Sequence, residues 1–310
     1  MTAAATRSGV KSLPALDISA LIGSFEIHLK SLRRSPQTQK TYLHGIRRYL
    51  CWCAEGEHPP CIDRAQVQAW MAHILDGGAA PATAAAYLAG VRQFSKWLAA
   101  EGEIQSDPLL RLNAPKADMP ITPVLSDEQL RALIKACRGS SLRDRRDEAM
   151  IRLMAETGMR AAELLSLQVD DVDLVRGIAV IRRGKGGKGR LAPFGPQTAQ
   201  AIDRYIRMRR RHPGAHSPAL WLGARHSRQL SVPGFRMTLR ERAQAAGIPH
   251  LHPHMLRHTA ASRWLMAGGT EGGLMSIAGW SSRDMLSRYA AATQAERAAA
   301  EARRLNLGDL

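Results

Sequence analysis

His254-Met255-Leu256-Arg257-His258-Thr259, with a lone Tyr289 standing 32 residues beyond its arginine, is the stretch from which this chain is best read. Well upstream, Thr157-Gly158-Met159-Arg160-Ala161-Ala162-Glu163-Leu164 supplies a second arginine at the start of a helical run. Two arginines, a histidine and a tyrosine are the groups that can cut a phosphodiester without metal or water. Planar guanidinium forks grip the non-bridging phosphate oxygens and stabilise the charge of a pentacoordinate transition state. A phenol beside them has one strong use, attack on phosphorus to give a covalent phosphotyrosine, which conserves the bond energy for rejoining. Arg160 stands two residues after Gly158 at a helix start, where free backbone N–H groups favour an anion. His254 and Arg257 lie three apart on one helical run, so they share a face, and the histidine can assist proton transfer there. Each residue alone is an ordinary surface or packing side chain. Their combination carries the reading.

Between the two arginine stretches lies Gly184-Lys185-Gly186-Gly187-Lys188-Gly189, flanked by the strand signals Ile178–Ile181 and Arg190–Phe194. A lysine on such a turn can reach a DNA groove and protonate a departing alkoxide, and Lys185 and Lys188 are both candidates. The run lacks the Lys-Ser/Thr ending of a nucleotide-binding loop and precedes a strand, so ATP binding is rejected. His252, His254 and His258 crowd together without a carboxylate ligand among them, which argues against a metal site. His258 is expected to be buried behind the site. No cofactor is expected.

Charge points the same way. The chain carries a net +17, and residues 182–263 hold 17 basic residues against two acidic ones, Asp203 and Glu241. So concentrated a field attracts a polyanion, nucleic acid first. Cys51, Cys53, Cys61 and Cys137 have no metal spacing and read as core cysteines in a reducing cytoplasm. Residues 1–18 read as a flexible tail rather than a signal peptide, and no apolar run is long enough to span a membrane.

Helical stripes run over 19–32, 35–56, 64–76 and from Pro81 to near Gly102, making a small bundle within residues 19–112. Its basic residues, Lys30, Arg33, Arg34, Lys40, Arg47 and Arg48, ask for a partner surface. Pro115, Pro120 and Pro123 mark a linker over 113–124. Ser126-Asp127-Glu128-Gln129 is a capping box that opens a second domain over 125–293. That domain reads as helical at about 144–156, after Arg160, and at 196–211, 232–246, 253–267 and 282–291, with a small antiparallel sheet. Residues 294–310 read as a C-terminal helix or tail.

These boxes resemble the tyrosine recombinases, the phage integrase family, over nearly the whole chain. Ser35–Thr38, Tyr42 and Tyr49–Trp52 look like its first DNA-clamping helices, and Glu101–Pro108 with Pro115-Lys116 like its exit into the linker. The first arginine box, the lysine hairpin, the histidine–arginine box and Ala278-Gly279-Trp280-Ser281-Ser282 through Tyr289 follow in family order. The resemblance implies a mainly α protein with a small antiparallel β-sheet: an N-terminal helical, SAM-like core-binding bundle plus a C-terminal α+β catalytic domain. It implies Arg160 and Arg257 as phosphate clamps and Lys185 as general acid, with Lys188 in reserve. It implies His254 as proton-transfer partner, Tyr289 as nucleophile and Glu163 as a supporting acid. Trp280 stands where histidine is common in the family; its indole can donate a hydrogen bond and pack but cannot shuttle protons, so it is expected to bind phosphate or buttress Tyr289. Lys40, Arg47, Arg92 and Arg183 are the expected DNA contacts. Gly268-Gly269 and Gly272-Gly273 are expected to flank the helix before the last box.

The implied mechanism is cleavage to a 3′-phosphotyrosine, then attack by a 5′-hydroxyl of a partner duplex. Two rounds pass through a four-way (Holliday) junction in a homotetramer on a double-stranded recombination site, and the resemblance allows a sister recombinase or accessory DNA-binding protein as a further partner. Integration, excision and resolution are all compatible, and the expected location is the cytoplasmic nucleoid. With the helical pattern starting near residue 19, no additional arm-binding domain is expected. Two other readings use the same residues. A type IB topoisomerase-like enzyme would relax supercoils without exchange, and a noncatalytic DNA-binding protein would keep only the basic face.

Overall fold

The structure, a computed structural model, describes residues 17–116, 123–182, 189–223, 229–280, 286 and 302–303. The chain is mainly helical with a small antiparallel sheet and divides into two compact units, Met1–Met119 and Pro120–Leu310. Among the described residues no helix is long and apolar enough to cross a membrane.

The first unit begins with a 3-10 turn capped by Asp17 and continues through α1 (Ile22–Ser31), α2 (Pro36–Glu55), α3 (Arg64–Asp76) and α4 (Pro81–Ala100). The stripes read from the sequence are the buried faces: Phe25, Leu29, Ile46, Tyr49, Val67, Trp70, Leu88, Val91 and Phe94 close one core. Ser35 caps α2 through its hydroxyl to the Thr38 N–H, with Pro36 at the first turn. The helices α2 and α4 cross backbone to backbone. A Cβ on Gly45 would lie 2.5 Å from the Tyr87 carbonyl oxygen, and one on Gly90 would lie 2.5 Å from that of Tyr42. Absence of a side chain at these two points lets the crossing close. Cys53 and Cys137 are buried and Cys61 is partly so, but Cys51 is exposed and its thiol faces Glu55, so it is no core residue.

The second unit contains α5 (Asp127–Lys135), α6 (Leu142–Thr157), α7 (Ala161–Ser166), β1 (Val172–Asp173), β2 (Ile178–Ile181), β3 (Arg190–Pro193), α8 (Pro196–Arg209), α9 (Val232–Ala245), α10 (Pro253–Met266) and α11 (Glu271–Ala278). The Ser126–Gln129 capping box opens α5. The sheet has order β1-β2-β3, antiparallel throughout, with Val172 opposite Ala179 and Ile181 opposite Arg190. The strand β1 is too short, at two residues, to show a period in sequence. Helix α6 forms the centre, its residues 146–151 all buried. On it Asp147 accepts from Arg146 and from Arg242 of α9, and Arg146 also donates to the Leu222 carbonyl at 2.8 Å. Buried charges so paired fix α6 against α9 and thereby place its C-terminal end. Gly272 and Gly273 lie inside α11 rather than flanking it, because Thr270 caps the helix through its hydroxyl to the Gly273 N–H. The pattern read at 282–291, except Leu286, falls outside the described residues.

Replacing Gly90 by alanine in the full-length protein is expected to cost about 1–3 kcal/mol through overpacking at the α2–α4 crossing. Urea titration followed by circular dichroism checks this, and an unmoved midpoint would mean that the crossing does not need its bare backbone.

Candidate active site

Helix α6 ends at Thr157, and Gly158 stops it in the left-handed region at φ 60°, where a Cβ is disfavoured. The chain turns through buried Met159 into Arg160, the extended residue preceding α7. Glu163, three residues on and 4% exposed, folds back to accept the Arg160 N–H at 2.8 Å. Its other carboxylate oxygen accepts from the Arg160 guanidinium, also at 2.8 Å. The short α7 is held by the Trp221 indole N–H, which donates to the Leu164 carbonyl at 2.8 Å.

Arg190, the first residue of β3, completes the cluster. Its Nη1 and Nη2 donate to the two oxygens of Glu163 at 3.0 and 2.7 Å, a bidentate fork, and its Nε donates to the Ile277 carbonyl at 2.7 Å. Burial raises the pKa of the Glu163 carboxyl. The hydrogen bonds from Arg190 and from the N–H and guanidinium of Arg160 outweigh it and hold the group at about 2, against an ordinary 4.5.

Arg257 lies on α10 and is buried, as its position on the core side of that helix requires. It donates to the carbonyls of Gly158 and of Ala278, the latter at 2.8 Å. Its guanidinium carbon lies 5.3 Å from the centre of the Trp280 ring, so the indole face supports the cation. Arg160 reaches the next carbonyl, that of Gly279, at 3.4 Å. Gly279 ends α11 in the left-handed region at φ 63°, and that geometry turns these carbonyls toward the guanidiniums. His254 stands one helical turn before Arg257 and packs edge-to-face on His258, with ring centres 5.6 Å apart. Partial desolvation, then Arg257, His252 and Arg160, lower its pKa, which favours a neutral imidazole able to accept a proton. His258 is half-buried beside it, less enclosed than expected.

The site opens into a cleft of about 780 Å3 lined by Arg160, Arg236, Arg240, His252 and His254 among others. Arg236 and Arg240, one turn apart on α9, are exposed and have no ion pair among the described residues. Guanidiniums and imidazoles converging on an open cleft form a donor set for an oxyanion, a phosphodiester above all.

Of the residues singled out by sequence, Arg160, Glu163, His254, Arg257 and Trp280 are brought together. Lys185, Lys188, Arg183 and Tyr289 lie outside the described residues. In the first unit Lys40 and Arg47 are exposed on α2, and Arg92 is partly buried on α4. Sequence reading missed Arg190, Arg236 and Arg240. Arg236 and Arg240 had an i, i+4 spacing to find them by; Arg190 looked like an ordinary strand residue, since nothing local reports a partner in α7.

Comparison with known proteins gives the family and the fold. Residues 123–296 match the phage integrase family, and residues 22–102 match the phage integrase N-terminal SAM-like domain. The chain is 32% identical over 264 residues to tyrosine recombinase XerC of Mycobacterium bovis (strain BCG / Pasteur 1173P2), covering 82% of this chain and 87% of that protein. It is also 32% identical over 249 residues to tyrosine recombinase XerC of Chromobacterium violaceum, covering 80% and 82%. The fold is shared with XerH site-specific recombinase in a post-cleavage complex with palindromic difH substrate (TM-score 0.74, 18% identity, 92% of this chain and 84% of that one). It is shared too with a lambda integrase tetramer bound to a Holliday junction (TM-score 0.66, 16% identity, 87% and 79%).

Glu163→Gln should destabilise the protein by about 3–5 kcal/mol at neutral pH, because it leaves the inward-facing charge of Arg190 without its counter-ion. A carboxyl whose folded pKa is depressed contributes stability above its unfolded value of 4.5, and that contribution is lost as pH falls toward about 2. The native protein should therefore lose more stability than the variant between those two pH values in denaturant titrations. Parallel curves would refute the assignment.

Proposed function

The chain belongs to the phage integrase family of tyrosine recombinases, enzymes of site-specific DNA breakage and rejoining, and on that footing we propose that it works through a 3′-phosphotyrosine. The phenolic oxygen of Tyr289 attacks the scissile phosphorus as the bond from phosphorus to the 5′-oxygen breaks. A 3′-phosphotyrosine and a 5′-hydroxyl result. Lys185, or Lys188 from the same turn, gives the departing 5′-oxygen its proton, and His254 handles the proton of the phenol or a hydrogen bond to phosphate.

Arg160 and Arg257 hold the two non-bridging oxygens, and Trp280 backs Arg257 through its ring face. Attack by the 5′-hydroxyl of a second duplex reverses the chemistry on a new strand. Two such rounds, separated by a Holliday junction, exchange both strand pairs within a tetramer on DNA. Arg236 and Arg240 bind phosphates flanking the scissile one, and Lys40, Arg47, Arg92 and Arg183 bind the rest of the site.

One observation carries this reading. Arg257 and Arg160 come from distant parts of the chain, yet they donate to successive carbonyls, Ala278 and Gly279. Two guanidiniums converge on one short stretch of backbone, beside a histidine of lowered pKa and an open basic cleft. A phosphodiester carries two oxygens at the spacing such a pair can share.

On nicked duplexes of random sequence, the native protein should yield a covalent protein–DNA band on a denaturing gel. Tyr289→Phe should yield none, while its DNA affinity stays within about threefold of native, since the phenol acts in the chemical step. A band that survives the substitution would remove Tyr289 as nucleophile. Lys185→Ala should slow band formation by about 100-fold or more, the scale of a lost general acid. A duplex whose 5′-oxygen is replaced by sulfur, a leaving group that needs no proton, should restore the rate. If Lys188→Ala shows this behaviour instead, the acid is Lys188.

A further inference from the structure

We propose that Arg190 is a positioning residue for strand cleavage, clamping the first arginine box to the end of α11 from which the chain leads on to Tyr289. The proposal rests on the reading of Tyr289 and Arg160 as nucleophile and phosphate clamp. Among the described residues Arg190 is not one of those lining the cleft. It acts through the groups that it holds.

The geometry is that of a fixed bracket. All three nitrogens of the guanidinium donate: two to Glu163 and the third to the Ile277 carbonyl. The side chain is only 10% exposed, so these bonds are shielded from water. On one side, Glu163 passes the constraint to Arg160 through both its backbone N–H and its guanidinium. On the other side, Gly279 lies directly against the fork. A Cβ there would stand 3.0 Å from Nη1 and 3.1 Å from both Cζ and Nε of Arg190. The three successive carbonyls of Ile277, Ala278 and Gly279 are taken by Arg190, Arg257 and Arg160 in turn. The last turn of α11 is thus held by arginines rather than left to water.

Chemistry makes the arginine hard to replace. A lysine at 190 could reach Glu163 or the Ile277 carbonyl, but an ammonium has no rigid fork and cannot hold both in fixed relation. A small misplacement of groups that must meet at one phosphorus is costly in rate while leaving binding nearly intact. The charge network around Glu163 consists of Arg160 from the start of α7 and Arg190 from β3. Removing the fork leaves one of the two cations that hold it.

The test uses full-length native protein, Arg190→Lys, Gly279→Ala and Tyr289→Phe. Each is measured on duplexes that the native protein captures from a nicked random library, and each is also measured free of DNA by amide hydrogen exchange. Arg190→Lys should slow adduct formation at saturating duplex by about tenfold or more while the half-saturating concentration moves less than about threefold. Exchange should quicken together at residues 160–163 and 274–280, with the buried centre of α6 unchanged. Gly279→Ala, which presses a methyl group on the guanidinium and strains the left-handed turn at the end of α11 while keeping every charge, should reproduce the same paired signature. Native adduct rates in Arg190→Lys would overturn the proposal, and so would a uniform rise in exchange across the unit, which marks simple destabilisation. Should the native protein itself form no adduct, the cleavage chemistry fails, and exchange alone decides the bracket. Paired quickening then upholds it, and native exchange at both segments ends it.

Discussion

The buried carboxylate of Glu163 is the contact on which the catalytic unit's arrangement turns. Placing guanidiniums inside a protein is costly unless each finds an anion or a set of carbonyls. Glu163 meets that need for two of them at once, Arg160 from its own turn and Arg190 from the sheet. Its ionisation is held far into the acid range by the same bonds, so the cluster keeps its charges over the whole neutral range. Arg160 is thereby stiffened on its protein side and left with a face toward the cleft. A rigid arginine loses less freedom on binding phosphate than a solvated one would.

The rest of the site is built from helix ends. Two helices, α6 and α11, stop at left-handed glycines, and stopping leaves backbone carbonyls without partners inside the helix. Arg257 takes one from each, Gly158 and Ala278, and so ties the two ends together from α10. The three helices are fixed where a phosphate would be met. Trp280 follows Gly279 at once, which explains how a residue of the last box comes to lie under Arg257. Here an aromatic face supports the cation by electrostatics and packing, where a histidine would offer a proton. Trp280 therefore supports Arg257 by charge and shape, and the mechanism proposed above leaves proton transfer to His254 and the lysine turn.

The first unit obeys a different constraint. Its core is aromatic, with Phe25, Phe94 and Trp97 in mutual contact and Tyr49 against Trp70, and its two long helices meet at bare glycine backbone. Bringing α2 and α4 so close leaves the outer face of α2 for polar residues, and Lys40 and Arg47, seven apart, share that face. A basic stripe on a stiff helix suits a phosphate backbone, whose charge spacing is itself regular.

Much of this was open to sequence reading because it rests on local rules. Helices α2, α3, α4 and α5 announce themselves by apolar period, by the Ser35 and Ser126 caps and by Pro36 and Pro81 in first turns. Charge counting found the basic domain, and the order of the arginine, histidine and tyrosine boxes pointed to the chemistry. The exposure of Cys51, the placement of Gly272 and Gly273 inside α11 and the two-residue β1 depend on which side of an element meets a neighbour. Arg190 is the clearest case. In sequence it is one more arginine among many, following a glycine-rich turn. Its partners are 27 and 87 residues away, on α7 and at the end of α11, and only folding brings their oxygens within reach of one guanidinium. Periodicity and caps report the forces between near neighbours along the chain; the pairing of a buried charge is settled by whichever distant groups the core delivers beside it.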